Sequence, residues 1–303
     1  MTDNQTSALN QNVELSSDMK AKICSSPVVM LNDECTIDHV LLKMQLNHIK
    51  TIVITSKGKP QGVITETDIV KFLEDDKTDR ALDKIPVTEL MKKRLITIAQ
   101  DQHDRLHQCA SRMEIFKIGA VIVLDDDGYA TSITTKTDIT NAYSKIYQGK
   151  YKVKDYMSKI VVTCRKSDSL KFALNMINKN GISRLVVTDN DGNLVGIITR
   201  NTFLNHSNSF KKGTSKSLDY WNNTKLASSL PVETLLFQDL LTVNLNEDLA
   251  EAARLMINNI VSGLPVVDKS RNLVGLISKS DIVRAFSQVE SNAILLEKYK
   301  QTH

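Results

Sequence analysis

Apolar and polar positions recur in one order four times along the chain. Each round holds a stretch with apolar residues at i, i+3, i+4 and i+7, the signature of an amphipathic helix. The four sets are Ile37, Val40, Leu41, Met44; Leu106, Cys109, Ala110, Met113; Leu170, Ala173, Leu174, Ile177; and Leu249, Ala252, Ala253, Met256. Fifteen residues after the first apolar position of each helix a strand-like run begins, at Ile52, Val121, Leu185 and Leu264. A turn follows, with Gly58, Gly128 and Gly192 in three copies and the glycine-free Lys269-Ser270-Arg271-Asn272 in the fourth; Asp-Gly between two apolar runs predicts a hairpin. The second strand then runs into a helix start with a hydroxyl and a carboxylate three residues apart: Thr65 and Asp68, Thr135 and Asp138, Ser278 and Asp281. In the third copy the pair is Thr199 and Thr202. From first helical position to carboxylate position the offsets are 31, 32, 32 and 32 residues. Such constancy reads as one module repeated four times.

Composition narrows the class without naming a ligand. With 39 Lys and Arg against 35 Asp and Glu the net charge is +4 over 303 residues, too mild to demand a polyanionic partner. The longest apolar runs, such as Ala120 to Leu124, are strand-sized, far below the roughly 18 residues of a membrane span. Cys24, Cys35, Cys109 and Cys164 form no C-x-x-C pair, and residues 1–18 lack the apolar core of a signal peptide. A cytoplasmic protein without membrane association is expected. Residues 1–18 read as disordered. Residues 205–232 read as a long linker, holding Tyr220 and Trp221, that is either mobile or a lid; residues 290–303 read as a C-terminal helix and tail.

A β-α-β-β-α unit ending in G-[VIL]-[IV]-[TS]-x-x-D-[IL] resembles the CBS (cystathionine β-synthase) domain. The resemblance covers about residues 19 to 289, as repeats at 19–79, 87–147, 151–204 and 233–289. It implies an α/β (α+β) fold with the repeats paired into two Bateman modules in a flat disk. The repeat count also resembles the γ subunit of AMP-activated protein kinase.

What the recurring hydroxyl and carboxylate do has two readings. Spacing of Thr65-x-x-Asp68, Thr135-x-x-Asp138 and Ser278-x-x-Asp281 is that of a capping box with Asp in place of Glu, which would simply start a helix. The same geometry can hold the vicinal hydroxyls of a ribose beside a helix N-terminus that favours phosphate. The family resemblance implies the ribose role for Thr65, Asp68, Thr135, Asp138, Ser278 and Asp281. It also implies an adenine slot lined by the strand that opens the partner repeat: Val28 and Val29, Leu95 and Ile96, Val161 and Val162, and Leu240 and Leu241. Lys136, Arg200 and Lys279, with Glu66 at the matching place in the first copy, point to a basic disk centre for phosphates, and Arg184 is a further candidate; a solvated surface explains such charges equally well. Thr202 removes a carboxylate, so the site of Thr199 and Thr202 is expected to be weak or empty. Ser132 replaces the glycine of the second copy and is expected to stiffen the backbone's approach to ligand.

Other constellations are weaker. His103 and His107 stand at helical i, i+4 spacing, but with no third ligand in view they read as a surface pair and no metal is expected. Ser215 stands where a phosphate loop around Lys216 would need glycine. No catalytic constellation is present, so a non-enzyme is expected, with no required cofactor. The reading is a regulatory sensor of AMP, ADP or ATP that signals by module reorientation to a separate protein partner, with a homodimer as one assembly. The alternatives are another adenosyl ligand, cyclic di-AMP or S-adenosylmethionine, and, less expected, a nucleic-acid-interacting protein using the basic disk centre and the Lys-rich linker; the charge balance neither demands nor excludes it.

Overall fold

Each amphipathic stretch needs a sheet to bury its apolar stripe against, and each repeat supplies one. The computed structural model describes residues 25–75, 80–101, 105–199, 202, 230–236 and 240–289. The first repeat runs β1 (Met30–Asn32), α1 (Ile37–Asn47), β2 (Thr51–Ser56), β3 (Lys59–Thr65) and α2 (Glu66–Asp75). The second runs β4 (Thr97–Ala99), α3 (Arg105–Phe116), β5 (Ala120–Leu124), β6 (Ala130–Thr135) and α4 (Lys136–Ile146). After the short helix α5 (Val153–Tyr156) come β7 (Thr163–Arg165), α6 (Leu170–Lys179), β8 (Arg184–Thr188) and β9 (Leu194–Thr199). The fourth repeat holds β10 (Val243–Asn244), α7 (Leu249–Asn258), β11 (Gly263–Val267), β12 (Leu273–Ser278) and α8 (279–289). The expected segments 1–18 and 290–303, most of the 205–232 linker, and with it Tyr220 and Trp221, lie outside the described residues.

Among the described residues every repeat forms a three-stranded sheet in the same order, the opening strand parallel to the second and the second antiparallel to the third. A parallel neighbour requires a crossover, which the first helix of each repeat provides. Local irregularities repeat too. The hairpin register slips at Ile54/Thr55, Val123/Leu124, Val187/Thr188 and Val266/Val267. The turn takes a left-handed residue, Gly58, Gly128 or Gly192, and in the glycine-free copy Arg271 adopts φ 65° instead.

Repeats pair through the segment that enters each one. Ser26 bridges Ile133, Lys92 bridges Val63 and Ser158 bridges Leu276, each by two backbone hydrogen bonds of 2.8–3.1 Å. Repeat 1 is thereby joined to repeat 2, and repeat 3 to repeat 4. Val53, Ile122, Ala130 and Ile133 form a buried seam between the first two sheets. A separate, larger core joins the two modules: Ile139, Ala142 and Tyr143 of α4 share one cluster with Leu249, Ala252, Ala253 and Met256 of α7. On the other side of this helix layer Ser111 of α3 meets Ser287 of α8 at 3.0 Å. Repeats 2 and 4 therefore meet within one chain. Gly149 N–H donates to the Asp248 carboxylate, which also caps α7 at Ala250, so the connector between modules is tied down.

Glycine at the start of the motif has a packing reason. A Cβ on Gly62 would sit 2.7 Å from Met91 Sδ, and one on Gly275 would sit 2.7 Å from Met157 Sδ and 2.9 Å from the Ser158 carbonyl. Gly196 is crowded by Leu236 in the same way. What presses on the glycine is the partner repeat's entering segment. Where Ser132 replaces it, the bridge register puts Ser25 in the place of the methionine.

Candidate functional site

At three of the four helix starts one carboxylate oxygen makes the cap and the other meets a different partner. Asp68 Oδ2 accepts from Thr65 N–H at 3.0 Å and from Thr65 Oγ1 at 2.5 Å. Asp138 Oδ2 accepts from Thr135 N–H at 2.7 Å and its hydroxyl at 2.6 Å. Asp281 Oδ2 accepts from Ser278 N–H at 2.9 Å and its hydroxyl at 2.7 Å. These are capping interactions, each fixing the carboxylate against its own strand end. The second oxygen, Oδ1, takes no part in the cap.

Oδ1 is met differently in each cleft. Lys92 Nζ of the second repeat lies 2.6 Å from Asp68 Oδ1. Ser26 Oγ of the first repeat donates to Asp138 Oδ1 at 2.9 Å. Asp281 Oδ1 is paired at 3.0 Å with Arg284, one turn along its own helix, and Arg284 also donates to the Tyr156 carbonyl at 2.6 Å. In the third repeat Thr202 Oγ1 accepts from Thr199 N–H at 3.0 Å and lies 3.1 Å from the Thr199 hydroxyl. Threonine thus fills the capping half of the role and has no second oxygen for the other half.

The apolar pairs assigned to adenine lie just ahead of the opening strands rather than within them, because the strands begin at Met30, Thr97, Thr163 and Val243. Val29, Ile96 and Val162 carbonyls accept from Val53, Ile122 and Val186 at 3.1, 3.1 and 3.3 Å. Val28 and Leu95 pack on the seam between the first two sheets, whereas Val29, Ile96, Val162 and Leu241 pack on helix-side cores. Val161 and Leu240 are half-buried.

Three of the four phosphate candidates come together where α4 and α8 begin. Lys136 Nζ donates to Ser280 Oγ at 2.8 Å, and Lys279 Nζ donates reciprocally to Thr137 Oγ1 at 3.1 Å. Arg184 sits beside them, held by the Ser262 carbonyl and hydroxyl at 2.7 Å each. Gly263 makes room for it, since a Cβ there would lie 2.9 Å from Arg184 Nε. Among the described residues none of these three cations is in an ion pair. Burial, followed by repulsion from Lys50 and Arg184, pushes the Lys279 ammonium down to about 8. Burial and then Arg184 lower Lys136 as well, and burial lowers Arg184 itself. Two helix N-termini add their positive ends to this crowd. Such a cluster is short of negative charge. Arg200, the fourth candidate, lies outside the described residues, as does His103 of the histidine pair.

Sequence reasoning missed Ser26, Lys92 and Arg284. The first two lie three residues before Val29 and four before Ile96, so no fixed offset marks them; only the strand pairing does. Arg284 follows Asp281 by one helical turn, a spacing that would have been readable.

Paired repeats of this form, three of the four with a capping carboxylate at the end of the third strand, define a class. The CBS domain family model matches residues 20–75, 87–145, 153–209 and 232–288, and the chain belongs to this family. Protein MJ1225 of Methanocaldococcus jannaschii is 23% identical over 86% of this chain and 95% of its own. Its crystal structure, described as that of a candidate archaeal homologue of g-AMPK, superposes with a TM-score of 0.72 at 25% identity, covering 88% of this chain and 98% of that one. A conserved protein from Pyrococcus horikoshii shares the fold at 21% identity, TM-score 0.61, over 88% and 98% of the two chains. A CBS domain-containing protein of Dictyostelium discoideum is 36% identical over 43% of this chain and 88% of its own. Among the described residues no helix is long and apolar enough to cross a membrane.

Proposed function

We propose that the chain is a regulatory adenine-nucleotide sensor that binds AMP, ADP or ATP in the clefts between paired repeats. The observation that supports this is the divided carboxylate: in three of four repeats Oδ2 holds the helix cap, which leaves Oδ1 outside the cap as the oxygen a ribose would reach. A ribose diol placed there would have the apolar Val28-Val29, Leu95-Ile96 or Val161-Val162 wall for its base. Phosphates would run toward Lys136, Lys279 and Arg184. That cationic centre favours a nucleotide over S-adenosylmethionine, whose sulfonium would add charge of the same sign. The ligand would act by favouring one relative placement of the modules over another, since equal affinity for both would shift nothing, and a protein partner would read the difference. The chain itself would carry out no catalysis.

Calorimetric titration of the full chain with AMP, ADP, ATP and adenosine, with GMP as control, tests this. Adenosine compounds should bind and GMP should bind at least tenfold more weakly. Lys279→Ala and Lys136→Ala should each weaken ATP more than adenosine, because only the charged end loses a partner. No heat with any adenosine compound, or equal binding of GMP, overturns the reading.

A further inference from the structure

The residue that bridges to the partner's third strand occupies the same place in three clefts: Ser26 opposite Ile133, Lys92 opposite Val63, Ser158 opposite Leu276. Its backbone is pinned by two hydrogen bonds to the strand that ends at the capped hydroxyl, so its side chain is delivered to the cleft mouth. In the Asp138 cleft that side chain is a neutral hydroxyl on Oδ1. In the Asp281 cleft Oδ1 is held instead by Arg284, which is tied a second time to the Tyr156 carbonyl. Among the described residues only the Asp68 cleft has a cation of the partner repeat reaching across, and Lys92 is tied by its ammonium to that one oxygen.

We propose that the side chain at this bridge position sets how readily each cleft admits ligand, and that Lys92 closes the Asp68 cleft until a ribose displaces it. The inference rests on the nucleotide-cleft reading above and extends it. Asp68 Oδ2 is committed to its cap, so Oδ1 is the oxygen a ribose hydroxyl must reach, and Lys92 already holds it. The carboxylate is nearly covered, at 10% exposure, while the lysine side chain is 63% exposed. Lysine therefore has solvent to swing into, on a flexible four-carbon stem, and the carboxylate has nowhere to go. An ion pair with one exposed partner holds against displacement by a modest factor, about two- to fivefold in affinity. A hydroxyl such as Ser26 imposes less, because it can rotate and stay hydrogen-bonded beside a sugar. The Asp68 cleft should consequently fill after the Asp138 cleft, whose Oδ1 meets only the Ser26 hydroxyl.

Adenosine is the probe, since it brings no phosphate to the lysine. The variant Lys92→Ser copies the residue that two other repeats already carry on the same backbone bridge, and its apo melting temperature confirms folding. Calorimetry should show about two- to fivefold tighter adenosine binding at one class of site in Lys92→Ser. The converse Ser26→Lys should weaken another class by a similar factor. In an Asp68→Asn background, Lys92→Ser should change adenosine affinity by less than about 1.5-fold, which ties the effect to this pair. Unchanged or weaker adenosine binding in Lys92→Ser, while the wild type binds, overturns the closure and leaves the nucleotide reading standing. Loss of AMP affinity with adenosine unaffected also overturns it, and makes Lys92 a phosphate contact. If no variant and no wild type binds adenosine, the nucleotide reading itself fails.

Discussion

A single oxygen separates the third repeat from the others. Aspartate at the fourth position of the motif has one oxygen for the cap and one for the cleft; Thr202 has only the first, and it is engaged by Thr199. Thr202→Asp should therefore restore the missing oxygen without disturbing the helix start. Titration of that variant should gain about one binding equivalent for adenosine or AMP over the wild type. In the fourth repeat, Asp281→Asn keeps an oxygen for the Ser278 cap but removes the charge facing Arg284 and Arg184. Ligand affinity there should fall about tenfold, the scale of a charge-assisted hydrogen bond, with a stability loss near 1 kcal/mol. A loss of stability with affinity unchanged would mean that the carboxylate serves the cap alone. The motif residues were legible in the sequence because a cap has a fixed spacing. That the cap uses one carboxylate oxygen and leaves the other to a different partner was not, since one-dimensional spacing carries no direction.

Elements repeat down to their defects, and this is why the fold was readable. Helix stripe, hairpin turn and motif glycine each leave a local signature, the stripe in four copies and each glycine in three, and all agreed on register. The pairing of repeats was legible only through the family resemblance, because it depends on entering segments of unequal length with no periodicity of their own. Its packing logic can now be tested by exchange. Repeat 1 combines Gly62 with Met91 of its partner, whereas repeat 2 combines Ser132 with a serine at the matching register position, Ser25. Gly62→Ser alone should destabilise by about 1–3 kcal/mol, the usual range for overpacking. Adding Met91→Ser should recover most of that loss, measured by urea unfolding at equilibrium. Gly275→Ala should resist such rescue, because its Cβ meets the Ser158 carbonyl at 2.9 Å as well as a side chain, and backbone cannot be trimmed.

At the scale of the whole molecule, the two modules are held by one apolar core that belongs to neither alone. Helix α4 lays Ile139, Ala142 and Tyr143, all 3% exposed or less, against α7 of the other module. Separated at the connector, the first module (residues 19–147) would expose that face. It also carries a near copy of the surface it has lost. Where α7 presents Leu249, Ala252, Ala253 and Met256, α3 presents Leu106, Cys109, Ala110 and Met113 at the same helical positions. A second copy of the fragment could therefore receive α4 on its α3, with Lys136 facing the partner's Thr137 as it now faces Ser280. An interface of this kind is self-complementary and closes as a two-fold dimer. Sedimentation equilibrium of the 19–147 fragment should give a dimer at micromolar concentration. Ala142→Glu, which buries an unpaired charge in that interface, should convert it to a monomer while circular dichroism still reports folded repeats. A fragment that is monomeric and folded without the substitution would show that the core between modules is dispensable, and that repeat 2 hides its apolar face by itself.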